Sequence, residues 1–145
     1  MKIKSILSIL FFCIFVSSVS SQSSNTNNTE QNTRSEIFIK YDGVYFIPYA
    51  GGFSNEYIRF FEDGKVITVN STGSPVQVKN WFNYEDENVS RGEFSIDGNL
   101  ISFTTAIDEI SVEYIGIISS NGLLLDSRSS NGNESKGLLF VFYKW

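Results

Sequence analysis

Three glycine-centred reversals constrain this chain more than anything else in it: Asp63-Gly64, Asp97-Gly98 and Asn121-Gly122. A tight hairpin needs positive φ, which glycine reaches without a Cβ clash. Each reversal lies between strand-forming runs. Tyr57–Phe61 leads into Lys65–Val69, Glu93–Ile96 into Asn99–Phe103, and Val112–Ile118 into Leu123–Leu125. Neighbouring runs joined so briefly pair antiparallel, so the chain reads as an all-β meander. Strands are expected near 38–48, 57–62, 65–71, 90–96, 99–105, 110–118, 122–129 and 137–144.

Alternation says how the sheet is buried. Phe94 and Ile96 share a face against Ser95, and Ile101 and Phe103 a face against Ser102. Ile110, Val112, Tyr114, Gly116 and Ile118 share one against Ser111 and Glu113. Such a sheet is covered on one side. Leu138–Tyr143 is apolar on both faces, so it either sits in the middle of a sandwich or is covered outside by another element. Closing the meander on itself removes its two exposed edges. The expected fold is therefore an up-and-down barrel of about eight strands. One short helix is expected near 75–82. Ser74 and Gln77 form a capping box, Pro75 suits the first helical position, and Val78, Trp81 and Phe82 fall on one face. Lying between two hairpins, that helix is expected as a lid on one barrel end.

The amino-terminal part reads differently. Met1–Lys4 is basic, Ser5–Val16 is apolar, and Ser17–Ser21 is small and weakly polar. That order is a secretory signal peptide, expected over residues 1–21. Residues 22–36 carry no apolar side chain and read as a disordered polar linker. Residues 37–145 form one domain. Cys13, the only cysteine, lies in the apolar run, so the exported domain has no disulfide and depends on its hydrophobic core. The reading places the protein outside the cytoplasm, secreted or periplasmic, with no stable membrane insertion after cleavage.

Charge and composition exclude several functions. The net charge is −5, and losing Lys2 and Lys4 with the leader makes it −7. No basic cluster remains, which argues against nucleic acid as a partner. The chain has no histidine, so Ser-His and Cys-His catalysis and the usual zinc sites are excluded. Glu56, Glu62, Glu93, Asp108, Glu109 and Glu113 are carboxylates of the type used in glycoside cleavage, but strand-face charges are mostly solvated. Glu85–Asn88 is oxygen-rich without the ligand spacing of a calcium loop, and reads as a solvated acidic loop. Asn27, Asn70, Asn88 and Asn133 begin Asn-x-Ser/Thr sequons, which a eukaryotic secretory route glycosylates. No cofactor and no enzymatic activity are expected.

Gly43-Val-Tyr45, followed by Arg59-Phe-Phe-Glu-Asp-Gly-Lys-Val-Ile67, resembles the small secreted lipocalin-like β-barrels, the calycin group. Tyr45 stands where that group usually has Trp, and Lys144 is the nearest base on the last strand. The resemblance covers most of residues 43–143. It implies a barrel with an internal cavity for a small apolar ligand. The candidate lining is Tyr45, Phe60, Phe94, Phe103, Tyr114 and Phe140, with Val78, Trp81 and Phe82 as the lid. The same aromatics are equally able to fill a dry barrel, since eight strands leave just enough room for side chains. Ser71-Thr-Gly-Ser-Pro75 also resembles a segment of short exported proteins that brings no function with it. A second class of function uses an outer aromatic face, Trp81, Phe82, Tyr84 and Trp145, to meet an unidentified protein partner.

Overall fold

The computed structural model describes residues 38–48 and 54–145; the expected leader and linker lie outside them. Eight strands follow in chain order: β1 (Gly43–Phe46), β2 (Asn55–Phe60), β3 (Lys65–Ser71), β4 (Ser90–Asp97), β5 (Leu100–Ile107), β6 (Ile110–Ser119), β7 (Gly122–Ser129) and β8 (Glu134–Lys144). Each pairs antiparallel with the next, and β1 pairs with β8, so the sheet is a closed barrel. The seam runs from Gly43↔Lys144 to Phe46↔Val141. Closure gives every strand a ladder on both sides.

The reversals form as their residues require. Gly64 and Gly98 have φ of 86° and 63°. Gly122 has φ 138° but begins β7, and the turn itself falls on Ser120 and Asn121. Two expected strands differ by three residues or more at one end, the others by at most two. The first is limited to Gly43–Phe46, because residues 38–42 form no ladder and instead bury Ile39 in the core. The last begins at Glu134, where Arg128 pairs with Glu134 in register and by a 2.8 Å salt bridge. A bulge between Leu125 and Ser127 absorbs the misfit, with the Gly137 amide donating to Asp126 Oδ1 at 2.8 Å.

The barrel has two differently covered ends. The hairpins at 62–64, 98–99 and 120–121 share one end with residues 38–42. The connections at 72–89, 108–109 and 130–133 share the other. The inner core holds Tyr45, Ile58, Phe60, Val66, Ile101, Phe103, Tyr114, Ile118, Leu123, Leu125 and Phe140. A second core lies on the opposite face of the wall, where Val44, Tyr57 and Ile67 meet Val78, Phe82 and Val89. Strand alternation makes these outward residues, so segment 72–89 is packed against the flank of β1–β3.

The expected helix over 75–82 is absent. The capping pair forms, with the Ser74 amide donating to Gln77 Oε1 at 2.8 Å, and one i→i+4 bond follows from Val78 N to Ser74 O. Only a three-residue 3-10 turn, Lys79–Trp81, continues it. Two turns of helix have little stability of their own and depend on tertiary packing. Here only Val78 and Phe82 are buried, while Trp81 is 48% exposed. One face is anchored at two points, which a tighter turn satisfies.

Candidate functional site

The six aromatics expected to line a cavity are brought together, but they fill the space they enclose. Tyr45 and Phe142 have ring centroids 5.0 Å apart, Phe60 and Phe94 5.0 Å, Phe60 and Phe103 5.4 Å, and Phe103 and Tyr114 4.6 Å. Phe140 is fully buried and Phe94 partly. Rings at these separations are in van der Waals contact and leave no room for a guest between them. Tyr45 finds its polar partner inside the protein, because its hydroxyl accepts from the Lys40 amide at 2.9 Å. Burial pushes its phenol pKa up to about 12.

The other end of the interior is polar. Glu56 alternates with Ile58 and Phe60 on β2, so it points inward. Tyr114 donates its hydroxyl to Glu56 Oε1. Thr68 and Thr105, both buried, have hydroxyls 3.0 Å apart, and Thr68 also lies beside the Tyr114 hydroxyl. Burial raises the Glu56 pKa, and the Tyr114 hydrogen bond only partly opposes it. Tyr114 is raised as well, by burial first and then by the Glu56 charge. A carboxyl group, a phenol and two hydroxyls thus converge in an otherwise apolar barrel. Of the six candidate carboxylates only Glu56 is inward; Glu62, Glu93, Asp108, Glu109 and Glu113 are exposed.

A concavity borders this cluster at Thr68. The β3–β4 ladder spans only Lys65↔Glu93 to Thr68↔Ser90, after which segment 72–89 departs from the wall. The concavity, of about 520 Å³, opens at that split. Buried Thr68 and half-exposed Trp81 line it together with Asn70, Asn80, Asp86 and Asn88. Trp81, a residue of the expected lid, therefore lines the concavity, whereas Val78 and Phe82 hold the segment to the flank. A smaller apolar concavity of about 360 Å³ lies at the opposite end, between Phe38, Tyr41, Ile96 and Ile118.

The proposed outer aromatic face is largely consumed by the fold. Phe82 is buried, and its ring lies 5.7 Å from that of Trp145. The Trp145 indole donates to Pro75 O at 3.0 Å. The Arg59 guanidinium lies between Phe61 and Trp145, 4.7 and 4.8 Å from their centroids. In the acidic run, Asp86 Oδ1 accepts from the Asn88 amide and side chain, both at 2.9 Å, and closes a local turn. The sequons at Asn70, Asn88 and Asn133 are exposed; Asn27 lies outside the described residues.

Sequence reasoning named Glu56 and Tyr114 separately but could not join them, because they are 58 residues apart and meet only through the barrel. The one available signal was Glu56 falling on the same strand face as Ile58 and Phe60. Comparison with protein-family models, with curated proteins and with solved structures returns no match.

Proposed function

We propose that this protein is an exported, non-enzymatic small-molecule carrier of lipocalin-like design. The observation that supports this most is the concavity at the β3–β4 split, whose lining includes Thr68, and Thr68 is linked inward to Thr105 and Tyr114 and through Tyr114 to Glu56. Its volume is in the range of about 300–1,000 Å³ typical of ligand sites. The ligand is amphipathic rather than wholly apolar. Its flat or apolar body lies against Trp81, and a hydrogen-bond donor or cationic group points towards Thr68 and Glu56. A buried carboxylate is costly without a partner, so a donor group arriving from the ligand has a favourable place to go.

Native mass spectrometry of protein purified from its own host tests the reading. The expected spectrum contains a species heavier than the chain by one small molecule, reduced in Glu56→Gln and in Trp81→Ala. Wild-type protein found only at its bare mass, or an adduct indifferent to both substitutions, overturns it.

A further inference from the structure

The register places four exposed aliphatic residues in a line across the barrel wall. Leu100 is opposite Ile117, Ile117 opposite Leu124, and Leu124 opposite Leu139. They are 54%, 36%, 41% and 47% exposed. Ile115, two residues from Ile117 on the same face, is 54% exposed. Neighbouring outward rows are more polar: Ser95–Ser102–Ile115–Asp126 on one level, and Glu93–Thr104–Glu113–Arg128–Glu134 on the next. An aliphatic row over four strands, about 15 Å wide, is not what water selects on a sheet surface.

Among the described residues nothing buries this row. Segment 72–89 is committed to the flank of β1–β3. Residues 22–36 have no apolar side chain. A second copy of the chain does fit, through a two-fold axis running parallel to the strands midway between β6 and β7. Such an axis lays β6 of one copy over β7 of the other, and β5 over β8. Ile117 then faces Leu124 twice, and Leu100 faces Leu139 twice. On the charged row the same operation sets Glu113 of each copy over Arg128 of the other. The apolar line thus meets itself and Glu113 meets Arg128, which also holds Glu134 within its own chain, giving the self-complementarity an isologous contact requires. Two sheets packed face to face, about 10 Å apart, accommodate this arrangement.

We propose that the outer face of β5–β8 is a homodimer interface centred on Ile117 and Leu124. The apolar row is narrower than the roughly 800 Å² per partner of a standard interface, so the dimer is weak and forms with concentration. Sedimentation velocity from micromolar to millimolar protein tests it. The expected mass rises from one chain to two. Leu124→Lys, at an exposed position, keeps the barrel's circular dichroism and remains monomeric throughout. Glu113→Arg and Arg128→Glu each weaken dimerisation, and the double variant restores it. Thermal unfolding of each variant at the lowest concentration separates this from loss of the Arg128–Glu134 salt bridge and the Glu113–Arg128 neighbour contact within one chain. A single-chain mass at every concentration overturns the proposal, as does a dimer that survives both Leu124→Lys and Ile117→Lys.

Discussion

Glu56 shows how one residue sets a pH dependence. Its folded pKa lies above the ordinary glutamate value of 4.5, because burial penalises the charged form. The native state therefore holds a proton that the unfolded chain releases between 4.5 and the folded value, and stability falls as pH rises through that window. Below 4.5 both states are protonated and the penalty is absent. Glu56→Gln is accordingly expected to unfold at a higher temperature than wild type at neutral pH, with the gain disappearing as the pH drops below 4.5. A gain of equal size at both pH values would show that ionisation is not its cause. At the opposite end of the chain, Trp145 stacks with Arg59 and Phe82 and donates to Pro75 O. Trp145→Ala removes these contacts together and is expected to cost about 2–4 kcal/mol in chemical denaturation.

The strand elements were legible in the sequence to the extent that their information is local. Alternation and glycine turns located β2 to β7 within a few residues, since both signals are properties of adjacent positions. Gly98 carries its part alone: a Cβ there meets nothing within 4 Å, so only its φ of 63° resists substitution. Gly98→Ala is expected to cost about 1–3 kcal/mol of stability by thermal unfolding, with ligand binding unaffected. Gly92 is the contrast. Its φ is ordinary, but an added Cβ collides with the Thr104 carbonyl on β5. Gly92→Ala is expected to disturb the β4–β5 ladder, seen as faster amide exchange along β5 than in Gly98→Ala. The segment 75–82 misled the local reading because capping box and apolar spacing are genuine, yet packing used only Val78 and Phe82.

The whole molecule depends on its seam. β1 contributes four residues to the closed sheet and is held by β8 through Gly43↔Lys144 to Phe46↔Val141. Deleting residues 142–145 removes three of the four pairs of that ladder and uncovers strand edges. Such a chain is expected to bind an apolar dye and form high-mass species on size-exclusion chromatography, unlike the weak dimer of the intact protein. The sequence by itself determined the strand order, the reversals and the oily interior, because these follow from residue conformations and a period of two. Which end is packed solid, which end collects Glu56, Tyr114, Thr68 and Thr105, and which outer rows stay bare were decided only by closure. Closure fixes the lateral register, and register brings together residues that no local pattern connects.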